Sequence, residues 1–417
     1  MHKHEQTLED RKVNHLILLV GGNPLPNAVA GRLLVRNGGR ITLVYSDDTK
    51  SVADDLAAWF VKYQVAKVTP KKVVESKAGN IHTEVQNIID KNESTGLNYT
   101  GGTKTMAIHA HLAFHDVLGN KASKMSSYLD SRKLRLIFDD GHYDDAIKNL
   151  PAPFELQDFI NLHASLRINP CNPPLPSAWL PETALTLAEG WQRSIAKTWK
   201  EWFRDHIKPL RQPRFRHELK DSLDNLVGWR YQYWQDYARL KEATPVPFPE
   251  GKVGRKLKEE LMAAGYPTDL SDLDLGQAYK VLATPSVISA YFQQFEMEEL
   301  CAWFEAKWLE HHVAGCLEKS GLFDSVYIGV ETVLEEDKQH PVCYELDVVG
   351  IRGYQLFAIS CSTSGGFDTK QKLFEVAMRA RQLGGDEARI ALVCMSDKPS
   401  HIQSQIRATI DKQIRVG

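Results

Sequence analysis

The sequence has no CxxC pair, no unbroken apolar run near the ~20 residues a membrane-spanning helix requires, and almost no net charge, -2 at neutral pH. Each lack excludes something. The six cysteines, Cys171, Cys301, Cys316, Cys343, Cys361 and Cys394, are scattered singly, several within apolar strand or helix patterns. They predict buried thiols in a reducing compartment, not a disulfide framework or a zinc ribbon. Met1 to Lys12 is polar and has no apolar signal core, so a cytoplasmic location with no membrane partner is expected. Near-neutral charge rules out a polycation, and any nucleic-acid contact must come from a local patch. No GxGxxG fingerprint is present. The first glycine turn reads Gly21-Gly22-Asn23-Pro24-Leu25-Pro26, and its prolines remove N–H donors. The second, Gly101-Gly102-Thr103-Lys104-Thr105, lacks the lysine order and spacer of a P-loop.

What is there is an ordinary globular composition, 43% hydrophobic and 25% charged, over 417 residues, long enough for two or three domains. Residues 1–145 alternate strand and helix. Strands are predicted at His15–Val20, Arg40–Tyr45, Lys72–Glu75 and Gly96–Tyr99. Helices are predicted at Asn27–Val35, Lys50–Tyr63, Ile81–Asp90 and Thr103–Val117, followed by a hairpin of Met125–Asp130 and Lys133–Phe138. This order predicts a doubly wound α/β domain. Both glycine turns fall at strand carboxyl ends, where such sheets bind ligands. Gly-Gly commonly does no more than make a tight turn. Here, though, Asn98, Thr100, Thr103, Lys104 and Thr105 crowd the second turn, which runs straight into a helix. Backbone N–H groups and a positive helix end aimed at one point suit an anion, most often phosphate.

Gly21-Gly22-Asn23-Pro24 and Asn98-Tyr99-Thr100-Gly101-Gly102-Thr103-Lys104 together resemble the CARF domain, the CRISPR-associated Rossmann-like sensor of cyclic oligoadenylates. The resemblance implies that Thr103, Lys104 and Thr105 face phosphates or ribose hydroxyls. Gly21, Gly22, Asn23, Ser46, Thr100, Gly101 and Gly102 would line the loops, and Ser127 and Asp130 would close over the ring. It also implies a homodimer, since a symmetric cyclic ligand suits a two-fold site. Cyclic tetraadenylate is the ring size the resemblance favours.

Residues 146–295 open with clustered prolines, read as a linker, and continue as a helical or winged-helix module. Trp191, Ile195, Trp199 and Trp202 form one stripe of a helix at Trp191–His206. Trp229, Tyr231, Tyr233, Trp234 and Tyr237 interleave with Lys208, Arg211, Arg214, Arg216 and Lys220. A second basic cluster, Lys252, Arg255, Lys256 and Lys258, opens a further helix. Basic residues among aromatics can track a nucleic-acid strand, whereas tryptophans at helical spacing are more often core.

Residues 296–417 read as helix, three strands, helix, strand, helix. The long first helix, Phe295–Leu317, is expected to put Phe304, Trp308, His312 and Cys316 on one face. In the second strand Glu345 and Asp347 alternate onto one face of an otherwise apolar run. Two acids there require a neutralising cation, and oxygen ligands suit Mg²⁺ or Mn²⁺. A strand with a solvent-facing polar edge is the plainer reading.

This pattern resembles the PD-(D/E)xK nucleases, and the whole chain resembles the CRISPR-ancillary nucleases that join a CARF domain to such a domain. The resemblance implies metal ligation by Asp347 and Glu310. It also calls for a lysine on the third strand, where the sequence reads Ser360-Cys361-Ser362. Lys372, or Lys370, at the start of the next helix is expected to take its place. The implied function is a cyclic-oligoadenylate-activated, metal-dependent nuclease of type III CRISPR defence, cleaving DNA or RNA. The alternative is a sensor whose nuclease domain is degenerate and whose output is regulatory or nucleic-acid binding.

Overall fold

The computed structural model describes residues 7–163, 166–169, 174–175, 177–191, 195–209, 215–220, 226–232, 245–282, 300–334, 344–363, 369–396 and 398–409. The chain falls into two compact units. One comprises Met1–Pro174, Gly321–Ile359 and Phe374–Ala391. The other comprises Leu175–Ser320, Ser360–Leu373 and Leu392–Gly417.

The first unit begins with the predicted alternation: β1 (Val13–Leu19), α1 (Leu25–Leu34), β2 (Val35–Tyr45), α2 (Lys50–Lys62), β3 (Lys67–Lys72), α3 (Ala78–Ile88), β4 (Thr95–Asn98) and α4 (Lys104–Leu118). A short turn α5 (Ala122–Met125) leads into β5 (Ser126–Asp130), β6 (Arg135–Phe138) and β7 (Tyr143–Asp145). The seven strands lie in the order β3-β2-β1-β4-β5-β6-β7. Pairing is parallel from β3 to β5 and antiparallel from β5 to β7. Chain order reverses between β1 and β4, so the switch point lies at their carboxyl ends. Residues Leu16 to Val20 are fully or almost fully buried, as a strand covered on both faces requires.

The third strand is displaced from its expected place: it is Lys67–Lys72, not Lys72–Glu75. It contains Pro70, which pairs with Leu43, and proline weakens a strand reading. Here it is tolerated because β3 is the edge of the sheet.

After α6 (Ala146–Asn149) and α7 (Leu156–Asn161), β8 (Leu166–Ile168) joins a second sheet. Its other strands are β11 (Ser325–Leu334), β12 (Tyr344–Arg352), β13 (Gln355–Ser362) and β14 (Arg389–Cys394), in the order β14-β13-β12-β11-β8. The pairs β8–β11, β11–β12 and β12–β13 are antiparallel. The predicted run of three strands, helix, strand, helix is therefore present, with α13 (Thr369–Gly384) and α14 (Pro399–Thr409).

The second unit contains α8 (Pro181–Gly190), α9 (Ala196–Trp202), the hairpin β9 (Phe215–Lys220) and β10 (Leu226–Gln232), α10 (Gly251–Ala263), α11 (Leu275–Leu282) and α12 (Trp308–Ser320). Helix α8 was hidden in the sequence by the proline cluster, yet Pro181 sits at its first turn, where no N–H is needed. The expected helix Trp191–His206 is α9 running into a π turn at Phe203–Ile207. Trp199 and Trp202 are core side chains, with indole N–H groups donating to Phe304 O (2.8 Å) and Pro247 O (2.7 Å). Arg211, Arg214, Tyr233, Trp234 and Tyr237 lie outside the described residues. The side chains of Arg216, Lys220, Trp229 and Tyr231 are outside them too.

Two expectations need correction here. The buried face before and along α12 is Phe304, Trp308, His311 and Gly315, not His312 and Cys316. A stripe spaced only by four drifts around a helix of 3.6 residues per turn. The cysteines are also not uniformly buried: Cys301 and Cys361 are, Cys394 is half-buried and Cys316 is exposed. Cys171 and Cys343 lie outside the described residues.

Two buried ionisable groups of the first unit pull its stability in opposite directions. Burial, reinforced by Arg40, lowers the pKa of His15 to about 4, while Nε2 bonds to Thr42 Oγ1 at 2.8 Å. Burial, reinforced by Asp386, raises Glu387 to about 7. Between pH 4.5 and 6.5 the unfolded chain binds a proton at His15 that the folded chain does not, which makes stability rise with pH. Over the same window the folded chain holds a proton at Glu387 that the unfolded chain has lost, which makes stability fall with pH. The two contributions nearly cancel. Glu387→Gln is expected to leave the histidine unopposed and steepen the slope by about 1.4 kcal/mol per pH unit. Urea unfolding of both proteins at pH 5.0 and 6.5 measures this, and parallel slopes would refute it.

Candidate ligand pocket and nuclease site

The two glycine turns meet at the switch point. A Cβ on Gly101 would lie 2.2 Å from Leu19 O and 3.0 Å from Gly21 N, and one on Gly21 would lie 3.0 Å from Gly102 N. The backbones therefore touch, and only glycine permits it. Gly102 adopts φ +78, the left-handed region that glycine enters at no steric cost. Below the turn, Asn98 is fully buried and ties β4 to β5. Its Nδ2 donates to Ser127 Oγ (3.1 Å), and its Oδ1 accepts from Thr100 N (3.2 Å) and Thr100 Oγ1 (2.7 Å). Thr100 Oγ1 in turn accepts from Leu129 N at 2.7 Å.

Above the turn, Thr103 caps α4, its Oγ1 accepting from Met106 N at 3.2 Å. The main-chain bonds of the helix begin with Ala107 N on Thr103 O. The N–H groups of Lys104 and Thr105 thus stand at the positive helix end. Thr103 and Lys104 are exposed and Thr105 is half-buried.

The expected ligand residues divide into two groups. Gly21, Gly22, Gly101, Gly102, Thr103, Lys104 and Thr105 gather around the turn and the helix start. Thr100 and Ser127 are spent on the network beneath it. Ser46 is buried and closes its own turn, its N donating to Thr49 Oγ1 at 3.0 Å. Asp130 accepts from Arg132 N (2.9 Å) and Lys133 N (3.0 Å) at the hairpin tip. Asn23 accepts from Leu25 N at 3.1 Å and packs against Gly385, where an added Cβ would lie 1.7 Å from Asn23 Nδ2. That contact was not legible in the sequence, because more than three hundred and fifty residues separate the two.

In the second sheet Glu345 is exposed and Asp347 half-buried, on the less buried face of β12. Glu331 of β11 pairs with Glu345 and accepts from Asn169 Nδ2 at 2.7 Å. Sequence reasoning missed Glu331, which reaches this face only through its pairing with Glu345 in the ladder. Ile328 and Val330 pair with Val348 and Leu346, so Gly329 lies across from Asp347, with φ +66. A left-handed residue inside a strand breaks the ladder locally and opens the backbone beside that acid. This oxygen-rich face fits a hard divalent cation.

In the other unit, Glu310 is half-buried on α12. Lys372 of α13 is half-buried, and its ammonium donates to Cys361 O at 3.2 Å. A helix lysine thus reaches the end of β13, the segment that lacks the strand lysine. The side chain of Lys370 lies outside the described residues.

No curated protein matches this sequence at a significant level. Residues 297–416 match the family model described as the Card1-like endonuclease domain. Among solved structures, protein VC1899 from Vibrio cholerae aligns with TM-score 0.61 and 13% identity, over 94% of this chain and 92% of that one. Can2 from Sulfobacillus thermosulfidooxidans, in complex with cyclic tetra-adenylate, aligns with TM-score 0.57 and 15% identity, over 97% and 100%. A type III CRISPR defence DNA nuclease activated by cyclic oligoadenylate aligns with TM-score 0.50 and 15% identity, over 91% of this chain but 45% of that one. At these identities the three show a shared fold. The C-terminal part of this chain is thus similar to the Card1-like endonuclease domain, on a chain that shares the fold of Can2 and of the type III CRISPR defence DNA nuclease.

Proposed function

We propose that this protein is a metal-dependent nuclease switched on by cyclic tetra-adenylate bound at its paired glycine turns. One observation carries the reading. The ligand turns and the strand bearing Asp347 belong to one compact unit, in which Asn23, beside the first turn, packs on Gly385 beyond α13. A ligand that favours one position of the Gly21–Asn23 loop therefore acts on a segment of the nuclease domain. It switches activity only as far as it binds the active arrangement more tightly. Homodimerisation is part of the proposal. Ile108 and Leu112, one turn apart on α4, are 57% and 48% exposed and offer a self-complementary apolar stripe beside the ligand turns.

In the nuclease domain, Asp347 would hold Mg²⁺ or Mn²⁺, with Glu345 and Glu331 beside it on the same sheet. Bound there, the cation supplies Lewis acidity toward the scissile phosphate. Lys372 contributes a positive charge that orients the phosphate and offsets its developing charge.

The test is cleavage of labelled single-stranded DNA, RNA and supercoiled plasmid with Mn²⁺, with and without cyclic tetra-adenylate. Cleavage should require both additions. Lys372→Ala should lower turnover about 10²-fold. Full cleavage by both Lys372→Ala and Lys370→Ala would end the lysine assignment. The second reading, a sensor without catalysis, is favoured by Ser362 at the expected lysine position. It would be upheld by ligand binding with no cleavage of any substrate.

A further inference from the structure

Helix α4 carries a second feature, two to three turns beyond its ligand-facing start. His111 and His115 are four residues apart, so both imidazoles lie on one side of the helix. Their ring centroids are 4.3 Å apart. Asp139, in the loop after β6, faces them both. His111 Nε2 is 2.7 Å from Asp139 Oδ2, and His115 Nε2 is 3.9 Å from the same oxygen. One ligand atom from each of the three residues lies within 4.8 Å of the others. Atoms bound tetrahedrally to one metal at about 2.0–2.1 Å stand roughly 3.3 Å apart. The two distances here straddle that value.

Two further observations point to a cation. His115 Nε2 is enclosed by the protein but has no hydrogen-bond partner, a cost that a bound metal removes. Tyr99 donates its hydroxyl to the other carboxylate oxygen, Asp139 Oδ1, at 2.5 Å. This bond fixes the carboxylate with Oδ2 turned toward the histidines. A hydrogen-bonded carboxylate behind a ligand atom is the usual outer support of a metal site.

We propose that His111, His115 and Asp139 form a binding site for a divalent transition metal of the Zn²⁺ class, distinct from the oxygen-rich nuclease face. Two imidazoles and one carboxylate select borderline ions, whereas Mg²⁺ prefers oxygen alone. The bound ion pins α4, whose first turn carries Thr103 and Lys104, to the loop that follows β6.

The test uses tag-free, full-length protein carrying Asp347→Ala, which disables the nuclease acid. After equilibration with Zn²⁺ and gel filtration, one Zn²⁺ per chain should remain. The metal should raise the melting temperature, and Co²⁺ should give visible d–d absorption. His115→Gln and His111→Gln should each weaken Zn²⁺ binding at least ~100-fold, and Tyr99→Phe about 10–100-fold. The metal-free melting temperatures of these variants report whether they fold. Failure to retain Zn²⁺, retention unaffected by both histidine substitutions, or displacement by equimolar Mg²⁺ would each overturn the proposal.

Discussion

Asp347→Ala is expected to lower the rate of nucleic-acid cleavage by on the order of 10³-fold or more, while cyclic tetra-adenylate still binds with wild-type affinity. The magnitude follows from the several kcal/mol that a correctly held divalent cation contributes to phosphoryl chemistry. The selectivity follows from the fold. Asp347 lies on β12 of the five-stranded sheet, whereas the glycine turns lie at the carboxyl ends of β1 and β4 in the seven-stranded sheet. Glu345 is exposed at the same face, so Glu345→Ala should cost less, about 10-fold. Parallel measurements of ligand affinity and single-turnover cleavage separate the two effects. An Asp347→Ala protein that cleaved at the wild-type rate would remove β12 from the chemistry.

The alternating α/β domain was legible because its signals are local. Apolar runs such as Leu16–Leu19 are too continuous for a one-sided strand, and each is followed by a turn and a periodic helix. The serial order of the nuclease domain was readable for the same reason. What could not be read depends on partners distant in the chain. Pro70 argues against a strand until β3 is known to be an edge. Thr100 and Ser127 look like ligand donors in sequence, but Asn98 and Leu129 engage them through pairings that only the fold creates. Lys372 was accessible as a candidate through the missing strand lysine. Its bond to Cys361 O needed the helix to fold back on β13. Glu331 and Gly329 acquired meaning only through register, because the antiparallel ladder sets them beside Glu345 and Asp347.

Gly101→Ala is expected to weaken cyclic tetra-adenylate binding at least ~100-fold and to abolish activation, without touching any group that contacts nucleic acid. Its Cβ would meet Leu19 O at 2.2 Å and Gly21 N at 3.0 Å. Both are backbone atoms, so no side chain can rotate aside, and one turn must move away from the other. The ligand would then lose the convergence of two loops on the start of α4, a loss of positioning that costs several kcal/mol when donors are no longer aligned. Gly22 supplies the control in the same motif. A Cβ there meets nothing within 4 Å, so Gly22→Ala should bind within a few-fold of wild type unless that space belongs to the ligand itself. Lys104→Ala should fall between them, about 10-fold weaker, with a shallower salt dependence because one phosphate contact is lost. Isothermal titration at two salt concentrations, on variants with unchanged melting temperatures, ranks the three. Tight binding by Gly101→Ala would show that the ligand is held by side chains instead of by two backbones in contact. In that case the Gly21–Asn23 loop would no longer link the ligand to Gly385.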